Sequence, residues 1–264
     1  MERHSALIMA AGTGSRLRPL TEDRPKCLVE VEGEPLLRTH LRVLASQGVD
    51  SVRLVAGYRA DMLSNLGLPI SLNERYESTN MVKSLTCALE HLNGPMIVAY
   101  GDILYSPEVL RTLLDTPGDM AVAVDLDWRE YWEQRFQDPL SDAETLRMED
   151  ARIVEIGQKP SSLGDIQGQF MGLMRFSPRG IRALADVMTQ AREIGVLGPR
   201  AFDQAYTTDL LTECIRQGHA LTPARVFGGW VEIDTVKDWN LPVTRQRVRA
   251  IIETLDRTFP TRTP

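Results

Sequence analysis

The run Ala10-Ala11-Gly12-Thr13-Gly14-Ser15-Arg16 is the stretch of this chain best suited to chemistry on phosphates. Its glycines let the backbone approach an anion closely, and successive N–H groups can then bind the anion's oxygens. Arg18, Arg24 and Lys26 follow shortly after Arg16. Taken singly, Arg18 and Arg24 read equally well as solvated loop charges. Together with Gly12, Gly14 and Lys26 they form a concentration of fixed positive charge suited to a ligand with several phosphates. Two familiar phosphate loops are excluded. A G-x-G-x-x-G frame begun at Gly12 ends on Leu17, and no G-x-x-x-x-G-K-[ST] occurs. Dehydrogenase and kinase-type chemistry therefore fall away. The whole chain is acidic, with 30 Lys and Arg against 36 Asp and Glu and a net charge of −6. It has no overall basic field for a polyanion, so nucleic acid is not an expected partner.

Such a loop must be held by rigid elements. Ser5–Ala10 is continuously apolar after its first residue, the pattern of a strand buried on both faces of a parallel sheet. Further short apolar runs at 52–56, 96–100 and 120–124 alternate with helical spacing. Leu36, Leu37, Leu41, Leu44 and Ala45 make one helix face, and Met81, Leu85, Ala88, Leu89 and Leu92 make another. The expected fold is α/β: a doubly wound, mostly parallel Rossmann-like sheet that binds ligands at the carboxyl ends of its strands. From about residue 144 the texture becomes extended, at 144–148, 152–157 and 167–176, predicting an antiparallel extension laid beside the first sheet. Helices are expected at 178–191, 208–217 and 236–255, with a frayed tail at 259–264. With no repeat or linker, the reading is one domain over 1–264. Its nucleotide half spans about 1–125, its acceptor half about 126–240, and a C-terminal helix and tail 241–264. At 264 residues the chain is long enough for a substantial core. Three cysteines without a C-x-x-C, four histidines, and no apolar run near the roughly 20 residues of a membrane span point to a cytoplasmic protein off the membrane. Oligomeric state is not readable.

A-A-G-x-G-S-R-x-x-P-L-T followed by R-P-K-C-L-V resembles the signature of the nucleoside-triphosphate transferase superfamily, which joins a nucleotide to a phosphorylated small molecule. The resemblance implies that loop residues Ala10 to Arg16 hold a triphosphate and that Lys26 faces the reacting phosphates. The sugar-nucleotide branch usually carries two glycines where this chain has Ala11-Gly12, and Ala-Ala-Gly is more at home among cytidylyltransferases. Tyr76 to Leu85 (Y-E-S-T-N-M-V-K-S-L) is similar to a helix start in bacterial phosphocholine and phosphonate cytidylyltransferases. That implies Asn80 and Ser84 near base and ribose, although an asparagine here is also a natural N-cap. The implied nucleotide is CTP.

Gly101-Asp102 closes one apolar run, and Asp234 closes another at 229–234. Two carboxylates at strand ends suit Mg2+, which takes one or two carboxylates plus phosphate oxygens. In the family these aspartates hold the metal. Trp128, Tyr131, Trp132 and Arg135 recur at helical spacing, most simply as a packed stripe. The alternative is an acceptor lid. Trp128 with Asp125 could cage a quaternary ammonium, while Arg129, Arg135, Lys159 and Arg175 could equally grip an anion. Lys159, in Gln158-Lys159-Pro160, resembles a lysine that contacts the acceptor phosphate in related transferases. Lys83 stands where a phosphocholine enzyme carries an aromatic, which favours a phosphonate such as 2-aminoethylphosphonate or phosphonoformate over a phosphocholine-like acceptor. The implied reaction is in-line attack of the acceptor oxygen on the α-phosphorus of CTP with loss of pyrophosphate. Its rivals are a sugar-1-phosphate nucleotidyltransferase using UTP or dTTP and a non-catalytic nucleotide-binding regulator.

Overall fold

A computed structural model describes residues 3–259, so 260–264 of the expected tail lie outside the described residues. The central feature is a nine-stranded sheet. In chain order its strands are β1 (Ser5–Ala10), β2 (Ser51–Ala56), β3 (Ile70–Leu72), β4 (Met96–Tyr100), β5 (Met120–Asp125), β6 (Leu146–Glu149), β7 (Arg152–Ile156), β8 (Gln169–Phe176) and β9 (Leu221–Val226). Across the sheet they run β3-β2-β1-β4-β8-β5-β9-β7-β6. β1 pairs in parallel with β2 on one side and β4 on the other, so the strand order reverses at β1. Ligands of open α/β sheets bind at such a reversal, beyond the carboxyl ends of the strands.

The expected antiparallel extension is placed differently. β6 and β7 do lie at one edge, but β8 is inserted inside the sheet, antiparallel to both β4 and β5. All eight of its residues are buried. Phe170, Met174 and Phe176 join the core on one face, and Met171 and Leu173 join the core on the other. Paired along both edges and packed on both faces, the strand is enclosed on every side, as its continuously apolar run requires.

Helix Leu36–Ser46 buries Leu36, Leu37 and Leu44 of its expected face, but Ala45 is exposed and Thr39, His40 and Val43 are buried as well, whereas the segment from Met81 is an α-helix only to Thr86 and then a 3-10 turn, Leu89–His91. The expected helix at 236–255 is two helices, Val236–Asn240 and Pro242–Thr258. Pro242 disfavours helical backbone at Leu241 and begins the second helix, where its missing N–H costs nothing.

Two short strands outside the main sheet matter most for the site. Ile103–Tyr105 and Trp230–Glu232 pair antiparallel, with Glu232 opposite Ile103. The Ile233 N–H donates to the Asp102 carbonyl (3.1 Å). This register sets the residues flanking the pair, Asp102 and Asp234, side by side. Among the described residues no helix is long and apolar enough to cross a membrane.

Candidate active site

Beyond the carboxyl ends of β1 and β4 lies a cavity of about 300 Å³. It is lined by the loop from Ala10 to Arg16, by Lys26, Asp102 and Asp234, and by Tyr76, Thr79, Asn80, Met81 and Ser84. Gly14 adopts φ 60°, and a Cβ there would stand 3.1 Å from Lys26 Cβ and 3.2 Å from Thr21 Cγ2. Glycine thus serves both the left-handed backbone and the close approach of Lys26. The loop is fastened by Thr21 Oγ1, which donates to the Gly14 carbonyl (2.8 Å). At Gly101 a Cβ would meet the Met9 carbonyl oxygen at 2.7 Å, so glycine is what lets the chain turn Asp102 toward the loop.

Lys26 Nζ donates to Asp102 Oδ2 (2.7 Å) and to Asp234 Oδ1. Asp234 Oδ2 faces Arg16 Nη2 at 3.1 Å. Burial works against the Lys26 ammonium, but Asp102 and Asp234 outweigh it and hold the pKa above that of a free lysine. Burial also works against the Asp234 carboxylate, and Lys26, Arg16 and Arg135 overcome it, keeping Asp234 below the usual range. Asp102 Oδ1 is buried with no partner. An unpaired carboxylate oxygen can accept a cation.

Asn80 is the helix N-cap that the sequence suggested, and it stands at the cavity. Its Oδ1 accepts the Met81 N–H as the helix cap (3.0 Å), and the residue lines the cavity along with Ser84 and Gly101.

The acceptor-side expectations fare differently. Asp125 is fully buried, where its oxygens accept from the backbone N–H of Asp127 (2.9 Å) and Gly228 (2.8 Å) and from Trp230 Nε1 (2.8 Å). It ties two loops and a tryptophan together and does not reach the cavity. Trp128 belongs to the core with Tyr131 and Trp132, so the packed stripe is the arrangement adopted. Lys83 does not line the cavity, which removes the argument it offered for a phosphonate over phosphocholine. Lys159 Nζ donates to the Leu140 carbonyl, outside the cavity. Nor are the arginines free to grip an anion there. Arg175 donates to the carbonyls of Thr116 (2.6 Å) and Gly118 (3.0 Å), and Arg129 pairs with Glu133 on its own helix.

Arg135 is wholly buried. It pairs with Glu232 (2.5 Å) and Asp238 (3.0 Å), lies near the rings of Tyr131, Trp132 and Phe136, and stands 4.0 Å from Asp234.

Sequence reasoning overlooked Tyr100, the last residue of β4, and Tyr76 and Thr79, all of which line the cavity. Tyr100 carried a usable signal, since it ends the strand that delivers Asp102. Glu144 was overlooked as well. Burial, reinforced by Asp142 and Asp209, lifts its carboxyl to about 7.

A glycine-rich loop at the sheet's reversal point faces a lysine held between two aspartates, the arrangement expected of a nucleotidyltransferase. Residues 6–205 match the MobA-like NTP transferase domain, and the chain belongs to that family. It is 31% identical over 252 residues to CTP:phosphoglutamine cytidylyltransferase of Campylobacter jejuni, covering 91% of this chain and 100% of that one. It is 32% identical over 113 residues to 2-aminoethylphosphonate cytidylyltransferase of Lancefieldella rimae, covering 40% and 46% of the two chains. The solved structure of the inositol-1-phosphate CTP transferase from T. maritima superposes with a TM-score of 0.74 at 19% identity, over 95% of this chain and 97% of that one. That likeness establishes the fold.

Proposed function

We propose that this chain transfers CMP from CTP to the phosphate or phosphonate group of a small molecule and releases pyrophosphate. The observation that carries the reading is Lys26 bridging Asp102 and Asp234 opposite the glycine loop. The full-length similarity to a cytidylyltransferase supports CTP as the nucleotide. Because that relative is named for phosphoglutamine and another for 2-aminoethylphosphonate, the acceptor class is a small phosphorylated or phosphonate molecule.

In this reaction an ionised acceptor oxygen attacks the α-phosphorus, a new P–O bond forms, and the bond to the β-phosphate oxygen breaks. The acceptor oxygen carries its charge already at neutral pH, so no protein base is required. The chain's own work is positioning and charge neutralisation. Loop amides from Ala11 to Ser15 would bind the phosphate oxygens, and Arg16 and Lys26 would take up the charge of the departing pyrophosphate. The donor set fits Mg2+, with two carboxylates at one point and the unpartnered Asp102 Oδ1 among their oxygens. Asp102 and Asp234 would hold that ion, which would neutralise and align phosphate oxygens.

Pyrophosphate release with each of four nucleoside triphosphates, over a panel of phosphocholine, 2-aminoethylphosphonate, phosphonoformate, a phosphorylated amide and sugar 1-phosphates, tests the reading. Turnover with CTP and a non-sugar acceptor is expected. Preference for UTP or dTTP with a sugar 1-phosphate would replace it, and nucleotide binding without turnover across the panel would identify a regulator.

A further inference from the structure

One stretch of the cavity lining is uncharged. Thr79, Asn80, Met81 and Ser84 form it with Tyr76, so the nucleoside end of the ligand belongs there once the phosphates lie on the loop. Behind this wall sits Asn73, 1% exposed and outside the cavity. A Cβ added at Gly57 would lie 2.7 Å from both the Ala11 carbonyl oxygen and Tyr76 Cβ. Tyr76, in the loop after Asn73, is therefore packed closely on Gly57, which in turn lies against Ala11.

The hydrogen-bond accounting around Asn73 closes completely. Its Oδ1 accepts the Arg75 N–H (3.0 Å), which fixes the amide orientation, since the opposite orientation would set an NH2 against that N–H. Nδ2 then has two hydrogens and two acceptors, Thr79 Oγ1 (3.0 Å) and Ser84 Oγ (2.9 Å). The Thr79 hydroxyl proton is committed to the Arg75 carbonyl (2.8 Å). Ser84 receives a hydrogen from Asn73 and so cannot direct its own proton back. Among the described residues no protein acceptor takes that proton, and Ser84 lines the cavity.

We infer that Asn73 is a positioning residue for nucleotide choice: it fixes the Ser84 hydroxyl as a hydrogen-bond donor into the cavity, where the hydroxyl reads an acceptor atom on the pyrimidine edge. Cytosine presents acceptors at both O2 and N3, whereas uracil presents an N–H at N3. Both bases offer an acceptor at O2, so the discrimination lies at N3, and a hydroxyl held as donor to N3 favours cytosine. This inference rests on the CTP reading above and adds to it the residue that sets the polarity of the wall.

Asn73→Asp tests it, being close in shape and opposite in polarity. A carboxylate accepts from Ser84, turning the hydroxyl proton away from the cavity and leaving lone pairs that suit uracil N3–H. The readouts are the ratio of kcat/KM for CTP to that for UTP, and the dissociation constants of both nucleotides by calorimetry. They are measured for the wild type, Asn73→Asp, Ser84→Ala and the double variant, with thermal unfolding as the check on folding. We expect the wild type to prefer CTP, and Asn73→Asp and Ser84→Ala each to lower the ratio about tenfold, the scale of one hydrogen bond gained or lost. The double variant should match Ser84→Ala alone, because Asn73 acts only through that hydroxyl.

If Asn73→Asp does not fold, Asn73→Ala replaces it with the same direction expected and without a buried charge. A wild type that does not prefer CTP overturns the nucleotide reading and this inference with it. A wild-type preference for CTP that survives unchanged in a folded Asn73 variant overturns the inference alone. So does a double variant whose effects simply add.

Discussion

Replacing Lys26 with alanine separates catalysis from binding and also probes the metal site. In the free protein the Lys26, Asp102 and Asp234 side chains are only 14%, 21% and 12% exposed. Both carboxylates accept from one nitrogen, so the two oxygens lie at most about 5 Å apart, two hydrogen-bond lengths end to end. Without the ammonium they repel each other by about 3 kcal/mol at an effective dielectric constant near 20. Arg16 and Arg135 remain beside Asp234 and reduce that figure, to about 2 kcal/mol. For a chain of this size the loss corresponds to a fall in Tm of roughly 4–8 °C. Mg2+ binding between the same carboxylates should restore much of it, so the variant should gain more Tm from Mg2+ than the wild type does. In turnover, losing one preorganised charge aimed at the leaving group is worth about 3 kcal/mol, or roughly a hundredfold in kcat, with a modest rise in KM for CTP. Arg24→Ala is the control. Its partner is the exposed Asp23, and it should change kcat little. Steady-state pyrophosphate release at saturating Mg2+ and thermal unfolding with and without Mg2+ give both readouts. A rise in KM with kcat untouched would mean that Lys26 contributes uniform binding and has no catalytic role. A lowered Tm that Mg2+ fails to raise would mean that these aspartates do not hold the metal.

Asp102→Asn and Asp234→Asn should each lower Mg2+-dependent turnover about a hundredfold, and near-normal kcat in either removes that residue from the metal assignment. Asp125→Ala orphans two buried donors, the Gly228 N–H and Trp230 Nε1, and the half-buried Asp127 N–H, and should cost about 3–5 kcal/mol in denaturant unfolding. Its KM for the acceptor, measured where the variant is folded, should stay at the wild-type value, since a rise there would restore Asp125 to the acceptor site. Glu144 has a folded-state pKa of about 7, above the ordinary glutamate value. Its contribution to stability is therefore complete below the unfolded pKa and lost as pH rises through about 7. Glu144→Gln should flatten the fall in Tm across that window and raise Tm by a few degrees at pH 8, and an unchanged profile would show that Glu144 is not buried as described.

The parts of the site legible in the sequence are those whose chemistry is local. A triphosphate needs amides and cations on one short piece of backbone, so Gly12, Gly14, Arg16 and Lys26 announce themselves within a single segment. Asp102 was legible for a related reason, because β4 is apolar up to Tyr100 and the carboxylate follows at its end. The placement of β8 was not, because its neighbours β4 and β5 both precede it and nothing in 169–176 says that they leave a gap between them. Asn73 was invisible for a different reason. It matches no motif, and its significance lies in which atoms donate and which accept, a property of contacts with Arg75, Thr79 and Ser84.

The stripe Trp128, Tyr131, Trp132 and Arg135 shows what would have helped. Aromatics with a neighbouring charge suit a ligand cage and a packed core equally well, and the outcome depends on the distant segment that packs against them. That segment carries Glu232, Asp234 and Asp238 with Lys237 as its one cation, and Lys237 is drawn to the Arg135 carbonyl. Burying these three acids together requires a cation from elsewhere in the chain. Arg135, on an apolar helix face, was the residue placed to supply it, and the excess of acid at 232–238 could have assigned that arginine to the core before any coordinates were known.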